Sequence, residues 1–230
     1  MNSGHRWTGQ ESYDAWHMEE EAFLEKYPDI NADALRLKKK RDSKGAEPAD
    51  GYIGLRIAYW DIETTGFKAD FDRILCASVA DGFGDVKTFR AIDFPQENPL
   101  DDRGICVALR DYLMNEFDVI VGWNSKLFDR DFLNTRLVVE HNEEPLRERL
   151  HIDAMYLIAQ GKMGRSLDNV ARALRVTDVT KSHFDKRIWA MANMGDERAL
   201  GYITDHCERD VLVLRRVFEK LRPQVKTVHR

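Results

Sequence analysis

The stretch that decides the fold lies between residues 57 and 66 and reads Ile57-Ala58-Tyr59-Trp60-Asp61-Ile62-Glu63-Thr64-Thr65-Gly66. Its aromatic and β-branched residues, followed by a glycine, predict a strand from Leu55 to Ile62. Because side chains alternate across a strand, Asp61 and Glu63 lie on the same face. The opposite face is also mostly apolar, which indicates a central strand that is covered on both sides.

Asp61 and Glu63 therefore occupy positions where hydrophobic core is expected. Two carboxylates at this spacing repel each other and lose hydration when they are buried, so they need a compensating cation. A hard divalent metal ion with oxygen ligands is one solution. The alternative is that the strand has reached solvent and turns at Thr64-Thr65-Gly66, and this stretch alone leaves both interpretations open.

The composition is that of an ordinary globular protein, with 43% hydrophobic residues in a chain of 230, enough for one substantial domain and an appendage. No apolar run approaches the length of a membrane span, and residues 1–10 lack a signal-peptide core. We therefore expect a cytoplasmic location, in the host cytoplasm if the protein is viral, and no membrane partner. The formal net charge of −5 argues against general attraction to nucleic acid, so any phosphate-binding surface must be local.

The first fifty residues differ from the rest, and we expect a helical arm and basic linker over 1–50 and a single domain over 51–230. Helices are predicted from Ser12 to Lys26 and in a short segment capped by Asn31. The basic run from Arg36 to Lys44 is either a solvated helix end or a contact to a phosphate backbone. The arm could clamp substrate, dock on a polymerase or helicase partner, or cover a sheet edge.

Strands and helices alternate in the remaining sequence. Strands are predicted over Leu55 to Ile62, Arg73 to Ala80, Asp85 to Ala91, Val119 to Gly122 and Leu150 to Asp153. Helices are predicted over Asp101 to Glu116, Leu127 to Glu140, Ala154 to Gln160, Ser166 to Leu174, Lys186 to Met194 and Asp196 to Leu221. Short links predict an antiparallel meander of the first three strands, and helical crossovers follow. The fold class is therefore α/β, with a mixed sheet and helices on both faces.

The last predicted helix carries a carboxylate at a core position. Its buried stripe consists of Ile203, Cys207, Asp210, Leu214, Val217 and Leu221. A carboxylate at such a position needs a cation, either a metal ion or a basic side chain from another element. Asp129 also points inward, on the same helix face as Phe132 and Leu133. Acids near a helix N-terminus are favoured by the helix dipole in any case, so Asp129 alone is not decisive.

Taken together, these acids and their neighbours resemble a known family. The residues that carry the resemblance are Asp61, Glu63, Thr64-Thr65-Gly66, Asn124, Phe128-Asp129 and Asp210. They resemble the DEDD superfamily of 3′–5′ exonucleases, and the order of the motifs looks closest to the proofreading domains of family B DNA polymerases and their stand-alone relatives. The resemblance covers Leu55 to Leu221. It implies a ribonuclease-H-like five-stranded sheet, with a three-strand antiparallel meander and two parallel strands, flanked by helices.

One position departs from the family pattern. In the tyrosine subclass the last motif reads Tyr-x-x-x-Asp, and here His206 stands four residues before Asp210. In the histidine subclass the histidine stands five residues before the aspartate, where this chain has Asp205. We expect His206 to orient or deprotonate the attacking water, because the pKa of histidine suits that task. Tyr202 or His183 are the alternatives.

The resemblance implies a two-metal 3′–5′ exonuclease that uses Mg²⁺ or Mn²⁺ to release nucleoside 5′-monophosphates from the 3′ ends of single-stranded DNA or RNA, with DNA preferred. The implied metal ligands are Asp61, Glu63, Asp129 and Asp210. The implied substrate-binding residues are Thr64, Thr65, Asn124 and Phe128, with Phe67 as a second candidate for stacking on a base.

Asp153 and Asp168 are expected to cap helices or to orient other groups, and the loop from Lys181 to Asp185 is a candidate phosphate contact. Two other functions remain open. One is a nucleic-acid-binding module in which the histidine shift has removed activity. The other is a structure-specific endonuclease of the same fold, such as a Holliday-junction resolvase.

Overall fold

The structure is a computed structural model that describes residues 11, 15, 18–30, 32, 35, 55–95, 98, 101–147, 150–157, 164–176 and 185–222. The chain divides into two compact units, Met1–Arg56 and Ile57–Arg230. The basic run from Arg36 to Lys44 lies outside the described residues.

The N-terminal unit contains helix α1, Glu20–Lys26. The predicted single helix from Ser12 to Lys26 is wrong in its extent, because the chain bends at Met18 and the backbone of Glu19 is extended, with φ −62° and ψ 148°. The acidic residues that follow Glu19 form the first turn of α1, where the helix dipole favours negative charge. Phe23 is fully buried in a small cluster with Ala15, Ile30 and Leu35.

The second unit is built on a five-stranded sheet with the order β3-β2-β1-β4-β5. The strands are β1 (Ile57–Thr64), β2 (Ile74–Asp81), β3 (Val86–Arg90), β4 (Val119–Gly122) and β5 (His151–Asp153). β1 pairs with β2, and β2 with β3, in antiparallel fashion, whereas β1–β4 and β4–β5 are parallel pairs. The predicted mixed sheet, with a three-strand meander and two parallel strands, is thereby confirmed.

Helices connect and cover these strands. They are α2 (Arg103–Glu116), α3 (Asp129–Thr135), α4 (Leu167–Ala173), α5 (Lys186–Asn193) and α6 (Glu197–Leu221). α3 continues as a π-helical segment, Arg136–Glu140, and short 3-10 turns occupy Ala91–Asp93 and Ala154–Leu157. The predicted helix from Ala154 to Gln160 is thus a 3-10 turn where it is described. Among the residues that the structure describes, no helix is long and apolar enough to cross a bilayer.

β1 is covered on both faces, as its sequence predicts. Ala58, Trp60 and Ile62 belong to a core cluster with residues of α2 and α3. Tyr59 belongs to a second cluster, in which Phe218 of α6 packs edge-on against it, with the two ring centroids 5.8 Å apart. Because side chains alternate along β1, Asp61 and Glu63 lie on the α6 face of the sheet, at the end of the strand.

Candidate active site

The first two acids lie at the carboxyl end of β1, between β2 and α6. Asp61 is opposite Ser78, and Glu63 is opposite Cys76, in the β1–β2 register. α6 packs against the same strand end, with the thiol of Cys207 3.5 Å from the main-chain oxygen of Asp61 and 3.7 Å from its Oδ2. Asp210 lies one turn after Cys207 in α6. The packing of α6 on the sheet therefore sets the distance between Asp210 and the two acids of β1.

Asp129 reaches the same strand end from the other face of the sheet. It is the first residue of α3 and only 3% exposed. Its Oδ1 accepts a hydrogen bond from the backbone N–H of Ile62 at 3.2 Å, so the carboxylate is fixed directly between Asp61 and Glu63 along the chain. The preceding residue, Phe128, is not helical, with φ −124° and ψ −76°. α3 therefore begins at Asp129, two residues after the predicted start at Leu127.

The electrostatics of the acids show that they share one environment. Burial, followed by the charges of Asp129, Glu63 and Asp210, raises the pKa of Asp61 well above its usual range. Burial and the charge of Asp210 raise the pKa of Glu63 to about 8. Burial raises the pKa of Asp129 to about 7 against the opposing effect of its hydrogen bonds. Near neutral pH these groups therefore favour protons over charge.

Asp210 and His206 form the α6 side of the cluster. Burial and the charge of Asp168 raise the pKa of Asp210 to about 7. His206 Nε2 is 3.3 Å from Asp210 Oδ2 and 3.9 Å from Glu63 Oε1. Burial, with a further contribution from Arg209, lowers the pKa of His206 to about 4, so the imidazole is neutral near pH 7 and can accept a proton.

Of the alternatives to His206, the structure describes Tyr202. Tyr202 is 36% exposed, and Asp205, at the histidine-subclass position, is also exposed. His183 lies outside the described residues. A one-residue offset on a helix rotates a side chain by about 100°, and here this rotation separates the inward-facing His206 from the solvent-facing Asp205.

Some of the predicted substrate residues have side chains that are engaged in local hydrogen bonds. The hydroxyl of Thr64 donates to the main-chain oxygen of Gly66 at 2.6 Å, and that of Thr65 donates to Asp72 at 3.0 Å. Both threonine hydroxyls thus build the turn after β1. Asn124 is half-buried with a left-handed backbone, φ 60°. The ring of the half-buried Phe128 lies 6.0 Å from that of Phe67.

Comparison with known proteins identifies the family of this chain. A model of the RNase H superfamily matches residues 58–222, which is more than half of the chain. The chain belongs to the RNase H superfamily. Members of this superfamily are usually hydrolytic nucleases and generally use divalent metal ions. No curated protein matches the sequence significantly.

A solved structure shares the RNase H-like fold. The family B DNA polymerase from the hyperthermophilic archaeon Pyrobaculum calidifontis superposes with a TM-score of 0.59 at 21% sequence identity. The match covers 74% of this chain and 25% of the polymerase chain. The chain therefore corresponds to about a quarter of that polymerase, and the likeness is one of fold.

The acids of this RNase H-like domain fit divalent cations. His206 lies 3.3 Å from Asp210 and 3.9 Å from Glu63, and the charge of Arg209 offsets only part of the raised pKa of Asp210. Carboxylate oxygens with this excess of negative charge suit Mg²⁺ or Mn²⁺ better than softer metals. The raised carboxyl pKa values are the expected signature of a site whose neutralising cations are supplied from solution.

A second group of potential ligands lies elsewhere in the domain. Among the described residues, the donor atoms of Asp102, Cys106 and His141 all lie within 4.8 Å of one another. Asp102 is already saturated, because it accepts from the N–H of Ile74 at 2.8 Å, from two nitrogens of Arg136 and from His141 at 2.6 Å. The guanidinium of Arg136 supplies the positive charge here, and we interpret this group as a buried structural ion pair.

Two contacts near the acids could not be read from the sequence. Trp189 of α5 packs against the cluster that contains Cys76 and Cys207, and its indole N–H donates to Glu63, which offsets part of the rise in the pKa of that carboxyl. Asp153, which we expected to act as a cap or an orienting group, accepts three main-chain hydrogen bonds beside Asn124. Both contacts join segments far apart in the chain, so no local motif marks them.

Proposed function

We propose that this chain is a metal-dependent 3′–5′ exonuclease that hydrolyses terminal phosphodiesters of single-stranded nucleic acid, DNA in preference to RNA, to nucleoside 5′-monophosphates. The observation that carries the proposal is the convergence of Asp61, Glu63, Asp129 and Asp210 at one strand end, with a neutral His206 beside them. Membership of the RNase H superfamily supports a hydrolytic nuclease.

The four carboxylates would hold two divalent ions, Mg²⁺ or Mn²⁺, and such ions polarise a phosphodiester and lower the pKa of water at the site. Asp61 would contribute to this cation site together with the other three acids, because the charges of all three act on it. Main-chain N–H groups of Ile62 and of Asp129 itself donate to the Asp129 carboxylate and fix its position beside the other acids.

His206 is proposed to orient the attacking water and take its proton. Its Nε2 faces the carboxylates of Glu63 and Asp210, and the imidazole, whose pKa is lowered to about 4, is neutral at neutral pH and has a lone pair that accepts a hydrogen bond from water. General-base catalysis by a positioned side chain contributes about a hundredfold to ten-thousandfold in rate. The position four residues before Asp210 is also the tyrosine position of the subclass that the sequence resembles.

The substrate would approach between two turns that carry exposed apolar side chains. Phe67 is 88% exposed and its ring is in edge-on contact with that of Phe128, whereas Leu127, the residue before Phe128, is 66% exposed. Exposed aromatic rings beside a phosphodiesterase site suit unpaired bases, which stack on them in any sequence. A base within a duplex has no free face to offer, and this favours single-stranded ends.

The decisive assay incubates a labelled single-stranded oligonucleotide with the protein and Mn²⁺. Release of mononucleotides supports the exonuclease, binding without cleavage supports an inactive module, and internal cuts in branched DNA support a resolvase. We expect Asp61→Ala to abolish hydrolysis and His206→Ala to slow it by about a hundredfold or more. Asp205→Ala is the matched control on the exposed side of the same helix, and an unchanged rate for His206→Ala would remove His206 as the proton acceptor.

A further inference from the structure

The turn that follows β4, residues 124–126, is held by hydrogen bonds to two side chains of β5. The carboxylate of Asp153 is 4% exposed, and its Oδ1 accepts from the backbone N–H of Asn124 at 2.9 Å. Its Oδ2 accepts from the N–H of Lys126 at 3.1 Å. The N–H of Met155 also donates to Oδ1, at 3.2 Å. A single side chain thus satisfies main-chain donors on two separate segments.

These bonds act on a backbone conformation that needs support. Asn124 has φ 60°, a left-handed conformation that residues with a side chain adopt less readily than glycine, although asparagine tolerates it best. The N–H groups on either side of Ser125 both point to Asp153, and the hydroxyl of Ser125 is itself 2.9 Å from Nε2 of His151. β5 therefore fixes three consecutive residues of the turn.

The turn carries the groups that the proposed function requires. The main-chain oxygen of Asn124 accepts from the N–H of Leu127 and of Phe128, and α3 begins at Asp129 immediately afterwards. The charge of Asp153 also contributes to the raised pKa of Asp129, so the two carboxylates are close in space. A change in the position of Asp153 is transmitted to Asn124 by its main-chain N–H.

We propose that Asp153 is a positioning residue for the terminal nucleotide: it holds the 124–126 turn in its left-handed conformation and thereby aims the Asn124 side chain at the substrate. This inference rests on the proposed function, because it assumes that Asn124 contacts a nucleic-acid end. It assigns to Asp153 a role in substrate affinity that is distinct from cation binding and from capping the 3-10 turn that follows β5.

Asp153→Asn is the test variant, since the amide keeps one acceptor oxygen but presents an N–H₂ group to one of the main-chain donors. Asp81→Asn is the matched control. Asp81 is 7% exposed and accepts from the N–H groups of Phe83 and Asp85 in the turn after β2. It pairs with Ala58, at the end of β1 opposite to Glu63, so the same chemical change is made away from the site.

The measurement is fluorescence anisotropy with a 5′-labelled oligothymidylate whose 3′-terminal linkage is a phosphorothioate, in the presence of Ca²⁺. We expect Asp153→Asn to weaken binding about tenfold, because hydrogen bonds to a charged acceptor are lost, and Asp81→Asn to change it less than about twofold. The same substitution in an Asn124→Gly background should have less than about a twofold effect, since glycine adopts positive φ without strain and has no side chain to aim.

Equal affinity of the Asp153→Asn, Asp81→Asn and wild-type proteins would overturn the inference. A full tenfold loss that persists in the Asn124→Gly background would also overturn it, because Asp153 would then not act through Asn124. Wild-type protein that does not bind the oligonucleotide would overturn the proposed function and this inference with it. If Asp153→Asn does not fold by circular dichroism, Asp153→Ser, whose hydroxyl accepts a single N–H, gives the same comparison.

Discussion

Asp129→Asn should make the metal-free protein more stable, although it removes a residue that we place in the active site. Burial raises the pKa of Asp129 from 3.8 to about 7, so the folded protein keeps a proton there that the unfolded chain has already lost. The unfolding free energy therefore falls as pH rises from about 4 to about 7. At 1.36 kcal/mol for each pKa unit, the ionised carboxylate costs about 4 kcal/mol above that range.

Asparagine removes this charge and retains the oxygen that accepts from the N–H of Ile62 at 3.2 Å. We expect Asp129→Asn to gain about 2 to 4 kcal/mol at about pH 8 in EDTA, and less than half of that at about pH 5, where the native carboxyl group is already protonated. In a domain of this size, the gain at the higher pH raises Tm by about 5 to 15 °C.

Urea and thermal denaturation at the two pH values measure this effect, with Asp81→Asn as the control for replacing a buried, hydrogen-bonded aspartate. Adding Mn²⁺ should stabilise the wild type more than Asp129→Asn, because a cation relieves the repulsion that the substitution has already removed. The reasoning would be refuted if Asp129→Asn were less stable than the wild type at the higher pH, or if its gain did not depend on pH.

Three further substitutions test other parts of the structure. Gly122→Ala should lower the unfolding free energy by about 2 kcal/mol or more in urea denaturation, since the added carbon would lie 2.1 Å from Oγ and 2.2 Å from Cβ of Ser125, and Ser125→Ala should not rescue it. Asp102→Ala should cost about 3 to 5 kcal/mol in the same assay, because it removes the closer carboxylate partner of the buried Arg136 and leaves only Glu140 at 3.8 Å. Phe67→Ala should leave Tm unchanged, since the side chain is 88% exposed, and should weaken single-strand binding measured by anisotropy about tenfold.

The sheet could be predicted from the sequence because its strands are short apolar runs between turn signals. The predicted strand from Leu55 to Ile62 corresponds to β1 at Ile57–Thr64, displaced by two residues. Pairing with β2 continues past Glu63 through a register shift before Thr64, and an alternation pattern does not reveal such an irregularity.

Helix type and extent were less predictable. The segment from Arg136 to Glu140 has the composition of an α-helix, but it adopts a π-helix in which Arg136 pairs with the buried Asp102. That pairing partner lies 34 residues earlier in the chain, so the feature that accompanies the change of helix type is a tertiary contact. The interruption at Glu19 is similarly invisible to helical periodicity, because glutamate is an acceptable residue inside a helix and at its N-terminus.

Three of the candidate acids stand out in the sequence because each breaks a local rule. Asp61 and Glu63 interrupt an apolar strand, and Asp210 falls in the predicted buried stripe of an amphipathic helix, where the structure leaves it half-buried. Asp153 breaks no such rule, since a polar residue at the end of a strand is ordinary, and its contacts with Asn124 and Lys126 depend on the pairing of β5 beside β4.

The buried acids of the candidate site lower the stability of the domain, and the surrounding structure offsets this cost. Carboxylates whose pKa values are raised to about 7 or 8 destabilise a domain near neutral pH, so the rest of the structure must hold them together. β1 does so as the central strand with core on both faces, and α6 does so with a buried stripe that runs through its 25 residues. The proposed divalent cations would neutralise the acids in the functional state and so remove this cost. The reasoning that predicts a more stable Asp129→Asn variant therefore also predicts that the Asp129→Asn variant will be inactive.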